Sequence, residues 1–254
     1  MGKENAKTIF PELPGGALLF DGHIHTCWSD GKMSLPEVID WYGENHFDAI
    51  AITDHVCRKY DPLIKFGRAI RLCNVITEKN FPDYLSAIKS EAERAWAKFK
   101  MIVIPGIEVT RQSLRAKKRA HIIALDIKKF ISASQSPKKI LEEIKKQGAV
   151  SIACHPHCCE RHLFQTLYLW KHRSSLSHLI DLWEIASRNE LLNLIYLNNN
   201  PLPYLAGSDF HKKEHIYGWK TILFCEKNIE AIKNCLKENK NIGFTLFKKE
   251  TEIN

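Results

Sequence analysis

No apolar run in this chain of 254 residues approaches the ~18 residues needed to span a bilayer. The first ten residues, MGKENAKTIF, carry charge but no apolar stretch of the secretory kind. Met1-Gly2 opens like an acylation signal, yet Ala6 stands where such a signal needs Ser or Thr. These absences lead us to expect a soluble, cytoplasmic protein with no membrane partner. None of the eight cysteines, at 27, 57, 73, 154, 158, 159, 225 and 235, has CxxC spacing. The adjacent pair Cys158-Cys159 suits neither a zinc knuckle nor a redox couple. A chain this long, 44% of it hydrophobic, needs no disulfide staples, so the thiols are expected to be free. Internal repeats, low-complexity segments and linkers are missing too, which points to a single domain over residues 1–254.

Acidic residues are outnumbered. Lys and Arg total 37 against 29 Asp and Glu, a net charge of +8 that attracts acidic ligands such as phosphorylated metabolites, nucleotides or nucleic acid. Much of this charge reads as solvated surface: Lys138-Lys139 and Lys145-Lys146 share a helical stretch with Glu142 and Glu143. The dense run Arg115, Lys117, Lys118, Arg119 differs, because it sits on an expected loop just ahead of an apolar segment.

Short apolar runs alternate with helical patterns. Strands are expected at Ala17–Asp21, Asp48–Thr53, Met101–Ile104 (stopped by Pro105-Gly106), His121–Leu125, Ala149–Ala153, Ile180–Ile185, Tyr204–Ala206, Trp219–Phe224 and Gly243–Phe247. Helices are expected from Ser34-Leu35-Pro36-Glu37, which has the makings of a capping box, over Asp83–Phe99, from Ser136-Pro137 to Gly148, and over Ile229–Asn239. The alternation implies α/β architecture with a mostly parallel sheet.

The reactive residues cluster where the strands end. ALLFD runs into His23 and His25, DAIAIT into Asp54-His55, MIVIPGI into Glu108, AVSIAC into His155, and YLAGS into Asp209 and His211. Ligands bind at that edge of barrels and open α/β sheets. His121 departs from the rule, since it begins its strand. Residues two apart in an extended segment point the same way, so His23 with His25, and Asp209 with His211, can each face one ion. A single histidine is more often a hydrogen-bonded core or surface group. Nine ligand-type residues meeting at strand ends is a different matter.

The ordered set Asp21-Gly22-His23-Ile24-His25-Thr26, Ser29-Asp30-Gly31, Thr53-Asp54-His55, Pro105-Gly106-Ile107-Glu108, His121, His155-Pro156 and Gly207-Ser208-Asp209-Phe210-His211 resembles the PHP superfamily, named for polymerase and histidinol phosphatase. The motifs span residues 21–211, and the match is closest to small stand-alone members regarded as metal-dependent phosphoesterases. The resemblance implies a distorted TIM-like barrel, close to (βα)7, which residues 212–254 would complete, with two to three divalent ions at its rim. His23, His25, Glu108 and Asp209 would hold one ion. Glu108 would bridge to a second held by His121 and His155, and Asp30, His55 and His211 would hold a third. Glu108, Asp209 and His211 would stand at the catalytic centre. Some members carry His in place of Asp30, and a carboxylate there makes the third site less selective for zinc. Mixed imidazole and carboxylate donors suit Zn, Mn or Fe, and ions ~3.5–4 Å apart can share a hydroxide for attack on a phosphate ester.

Other residues have two readings. Asp54 either orients a ligand from behind or caps the next turn, and Glu184 is a similar supporting partner or an ordinary strand-end charge. Arg161, Arg188, Lys212 and Lys213 follow rim positions and could grip a substrate phosphate, or be solvated. Cys154 should face away from His155 and pack as an apolar residue. His157 and Cys27 are weaker ligand candidates. Hydrolysis of a phosphomonoester or nucleotide is the leading function. The alternatives are an exonuclease or oligonucleotide phosphodiesterase, and a non-catalytic binding module stabilised by metal. Nine donors are too many for one ion. Elemental analysis after metal-replete purification should therefore find more than one transition-metal ion per chain, and at most one would contradict the trinuclear reading.

Overall fold

The computed structural model describes residues 8–9, 13, 15–58, 74–113, 115–156, 166–187, 190–191 and 202–249. In chain order the strands are β1 (Thr8–Ile9), β2 (Leu18–Ile24), β3 (Ala49–Ile52), β4 (His55–Cys57), β5 (Ile102–Arg111), β6 (Ala120–Leu125), β7 (Val150–Ala153), β8 (Leu182–Ser187), β9 (Glu190–Leu191), β10 (Tyr204–Gly207), β11 (Gly218–Leu223) and β12 (Ile242–Lys249). The helices are α1 (Leu35–Glu44), α2 (Phe81–Phe99), α3 (Pro137–Lys146), α4 (Leu167–Lys171), α5 (Arg173–Leu176) and α6 (Ile229–Glu238).

The sheet runs β1-β12-β11-β2-β3-β5-β6-β7-β8-β10, with β4 added to β5 and β9 to β8. It curls into a nearly closed barrel. Its free margin β10 returns to β2 and β11: the Thr221 hydroxyl donates to Ala206 O at 2.8 Å and accepts from Ala206 N at 2.9 Å. Just beyond, His25 N donates to Phe210 O and Phe210 N to His23 O. The expected α/β barrel is present, but its sheet is mixed rather than mostly parallel. β6 runs antiparallel to both β5 and β7, and β11 antiparallel to both β2 and β12. The linker into β6 holds only the short turn Ala116–Lys118, too short for the crossover helix that parallel pairing usually uses.

Alternation sorts the apolar side chains into two layers. Leu18, Phe20, Ala49, Ala51, Ile104, Ile123, Ile152, Leu182 and Leu205 pack together with Ile232 and Leu236 of α6, so that α6 closes one end of the barrel. Leu19, Ile50, Val103, Ile107, Val109 and Ile122 face the helices outside, against Val38, Tyr42, Tyr84, Ile88 and Ile140. The end opposite α6 is left for polar residues.

Local signals account for most boundaries. Ser34 caps α1: its hydroxyl accepts from Glu37 N, and Glu37 returns a carboxylate to Ser34 N at 2.8 Å, a reciprocal arrangement worth about 1 kcal/mol. Pro82 lies in the first turn of α2, which therefore starts at Phe81, two residues before the position its apolar spacing suggests. Pro105-Gly106 does not stop β5 as expected. The strand changes partners there instead, pairing with β3 up to Pro105 and with β6 from Gly106 onward, so the missing proline N–H falls where one ladder ends.

Gly43 lets α1 lie against α2, because a Cβ there would stand 2.4 Å from the Phe99 ring. Gly43→Ala should therefore cost about 1–3 kcal/mol through overpacking, read as a lower urea midpoint with an unchanged slope. An unaltered midpoint would show that the ring moves freely.

Candidate metal centre

The parallel strands β2, β3, β5, β7 and β10 all end at the rim opposite α6, and each brings polar residues there. His121 joins them for a reason that strand order makes plain. Because β6 is antiparallel to β5, its first residues lie beside the last residues of β5, and His121 pairs with Thr110. Its position at the start of a strand is therefore the same rim position.

All nine predicted metal-site residues meet at this rim. Glu108 is fully buried and turns its two oxygens to different sides. Its Oε2 lies 3.2 Å from Nε2 of His23, Nε2 of His25 and Nδ1 of His55. Its Oε1 lies 2.6 Å from His121 Nδ1 and 3.9 Å from His155 Nε2. Asp209 Oδ1 sits 3.5 Å from His23 and 3.6 Å from His25. On the outer side, Asp30 Oδ1 stands 3.3 Å from His211 Nε2, 3.6 Å from His55 Nε2 and 3.9 Å from His25 Nδ1. Among the described residues, five sets have donor atoms close enough to surround an ion: His23, His25 and Glu108; Glu108, His121 and His155; His25, Asp30, His55 and His211; His23, His155 and Asp209; and His23, Cys154 and Glu184.

The fit to a cation rests on atoms that lack any other partner. His25 Nε2, Asp30 Oδ1, Glu108 Oε1 and His121 Nδ1 are all buried without a hydrogen bond, although each has a polar neighbour close by. Buried polar atoms are normally satisfied. Four orphans in one cluster of imidazoles and carboxylates are what a divalent ion would satisfy.

The charge states agree. Burial pushes the Glu108 carboxyl upward, but His55 and His121 outweigh it and hold its pKa well below the usual range. Asp209 is held down in the same way by His211 and His23, and Asp30 by His55 and His211. His25 goes the other way: burial, then the neighbouring His211 and His55, lower its pKa to about 3, so its ring is neutral. His155 is also lowered, by burial and then His121. For His211, burial opposes charge, yet Asp209 and Asp30 prevail and raise its pKa to about 9. His23 is raised by Glu184 and Asp209 against its own burial.

Supporting residues hold this arrangement. Glu184 Oε1 meets His23 Nδ1 at 2.7 Å, while its Oε2 accepts from His155 N at 2.7 Å. His155 has φ +27°, and Asp209 has φ +47°; such conformations cost about 1–3 kcal/mol and persist only when the surroundings enforce them. For Asp209 the enforcing bonds lie on either side, Ser208 N to Asp21 Oδ1 and Phe210 N to His23 O. Asp54 accepts from Thr26 N, Thr26 Oγ1 and Ser29 Oγ, and so ties down the loop between His25 and Asp30 rather than capping the turn after it. Gly31 is forced in that loop, since a Cβ would stand 2.4 Å from His25 O.

Sequence reasoning passed over several members. Asp21 was quoted only as part of a motif. It accepts from Tyr42 Oη at 2.9 Å and lies 3.6 Å from Nζ of the fully buried Lys220. A carboxylate inside an apolar strand was the available signal. Thr110 Oγ1 pairs with His55 Nδ1 at 2.7 Å, and Gln112 Nε2 with His121 Nε2 at 3.1 Å; both lie along β5 beyond Glu108, and spacing alone did not mark them. Cys154 does not face away from the site as expected. Cys154 keeps the alternation of β7 and packs as an apolar residue with Val150 and Ile152 inside the barrel, while His155 takes the strained backbone; Cys154 lies near His23 and Glu184, its thiol pushed up by burial. Lys212 is exposed and 3.8 Å from Glu214, and Lys213 lies over Trp41. Cys27 is exposed. Arg161, Arg188 and His157 lie outside the described residues.

Residues 21–190 match the PHP domain, and the chain belongs to that family. A crystal structure of a two-domain protein from Bacteroides vulgatus, described as containing a predicted PHP-like metal-dependent phosphoesterase, matches with TM-score 0.66 and 21% identity, over 97% of this chain and 70% of that one. An amidohydrolase from Chromobacterium violaceum, solved with sulfate and no metal, matches with TM-score 0.49 and 16% identity, over 76% of this chain and 87% of that one. The search among curated proteins gave no match.

Loading the site should expel protons. At pH 7 the raised groups His23 and His211 hold protons in the metal-free protein, and ligation needs their lone pairs. Release from these two groups should be at its full value at neutral pH and below, and vanish above the raised pKa values, where those protons are already gone. Calorimetric metal titration in buffers of different ionisation enthalpy measures it. Heats that do not depend on the buffer would contradict these charge states.

Proposed function

We propose that this protein is a metal-dependent hydrolase of phosphate esters, carried by one domain and working in the cytoplasm. The observation that supports it best is Glu108, whose two oxygens face two different sets of imidazoles inside a cluster of orphaned donors. His23, His25, Glu108 and Asp209 would hold one ion, Glu108, His121 and His155 a second, and Asp30, His55 and His211, with His25 beside them, a third. The donor set suits Zn, Mn or Fe. Bound divalent ions would supply positive charge at the scissile phosphate and lower the pKa of an attacking water.

The chain's own residues do the rest. Glu184 fixes the His23 ring through Nδ1 and leaves Nε2 for the ion, while Thr110 does the corresponding work at the Nδ1 of His55. Asp54, acting through Ser29 and Thr26, holds the loop that carries His25 and Asp30. Asp30, His55, His155, Asp209 and His211 are the partly exposed members of the cluster and would meet the ester. His211 sets its Nδ1 2.9 Å from Asp209 O, which leaves Nε2 for an ion. A non-catalytic scaffold has no use for two strained ligand residues, and this disfavours that alternative.

Glu108→Ala should lower hydrolysis of an aryl phosphate by at least about a hundredfold, or about 2.7 kcal/mol of transition-state stabilisation. The circular dichroism spectrum should stay that of a folded barrel, because the apolar layers do not depend on Glu108. Full activity in the folded variant would refute the bridging role.

A further inference from the structure

The three outer donors, Asp30, His55 and His211, are held in different ways. Asp30 rides on the loop that Asp54 and Gly31 fix, and Thr110 holds the ring of His55. His211 is held through its main chain and its ring. Its O accepts from Lys32 N at 2.7 Å, its Nδ1 lies 2.9 Å from Asp209 O, and its N donates to Nδ1 of His215 at 3.1 Å. The last bond defines the chemistry of His215. A backbone N–H can only donate, so Nδ1 of His215 must offer a lone pair, which leaves the ring proton on Nε2.

His211 and His215 are four residues apart, a spacing that on a regular helix turns two imidazoles toward one ion. Here the segment is the short 3-10 turn Lys213–Ile216, and His215 belongs to none of the donor sets able to surround an ion. Its ring stands edge-on to that of His211, with centroids 6.1 Å apart and Nδ1 against the His211 backbone. The turn is itself anchored. His215 N donates to Lys212 O at 2.9 Å, Ile216 is fully buried in the outer apolar layer, and Tyr217 stacks on Phe247 of β12 with centroids 5.9 Å apart. His215 therefore ties the half-buried His211 to the packed core.

His211 Nε2 faces Asp30 Oδ1 at 3.3 Å, so any shift of the His211 backbone moves a donor of the outer set directly. Asp209, two residues earlier, is pinned independently by Ser208 N on Asp21 Oδ1 and by Phe210 N on His23 O, so the disturbance should stop at His211. We propose that His215 is a positioning residue for the outermost ion. It sets His211 for the site shared with Asp30 and His55, and so governs how tightly that ion is held relative to the two beside Glu108. The proposal rests on the metal reading of the rim given above.

The test is stepwise binding of manganese(II) to the full chain, with the free ion counted by electron paramagnetic resonance. Wild type should take up three ions in separable steps. His215→Ala should weaken the last step by about 10–100-fold, the usual cost of losing a hydrogen bond behind a metal ligand, and leave the earlier steps as they are. His215→Asn puts Oδ1 where Nδ1 stood and should restore the last step. His215→Gln carries its amide one bond further out and should not restore it. Because Gln keeps the bulk of the side chain, it decides the question if the Ala variant fails to fold. An unchanged last step in the Ala and Gln variants would overturn the proposal. So would an Asn variant as weak as Ala, or an equal loss at every step, either of which marks a packing role alone. A wild type that binds at most two ions would also overturn it, by removing the outer site. Aryl phosphate hydrolysis by the metal-loaded protein is measured separately. Its absence, with the binding steps as expected, would remove the phosphoesterase reading and leave the role of His215 in place.

Discussion

An ionised carboxylate with no solvent exposure is the constraint around which this protein is organised. Glu108 lies inside a barrel whose interior is otherwise apolar up to the rim. Burying such a charge is costly unless it is paired. Five imidazoles from four separate segments surround it, and each can approach only if its own strand or loop ends at the same height. The partner change in β5 at Pro105-Gly106, the antiparallel course of β6 and the near closure between β10 and β2 all serve that convergence.

A second layer of buried polar groups holds the first in place. Glu184 spans His23 and the strained His155, Asp21 spans β2 and the Ser208 backbone next to the strained Asp209, and Asp54 secures the loop from Thr26 to Ser29. Three carboxylates that touch no ion themselves thus set the positions of residues that could. The arrangement is rigid in the ordinary physical sense: each brace is hydrogen-bonded at both oxygens or at several donors, so releasing one would leave buried groups unpaired. Lys220 extends this layer, since it is buried against Asp21 and its pKa is lowered by that burial.

The amino-acid sequence by itself determined the element types, most strand positions and the nine ligand-type residues, because these follow from local signals. Period-2 and period-3.6 apolar patterns, a capping box at Ser34 and polar residues after apolar runs can all be read within a few positions of the chain. It left Glu184 and Asp54 each with two readings, a supporting partner or an ordinary strand-end charge or cap. What it could not give was which strands run antiparallel, since a strand buried on both faces has the same composition in either direction. The odd position of His121 and the continuation of β5 past Pro105 both depend on that pairing. Thr110, Gln112, Asp21 and Lys220 acquire meaning only through partners distant in sequence. Local chemistry chose the candidate ligands, and long-range strand pairing decided which of their atoms face one another.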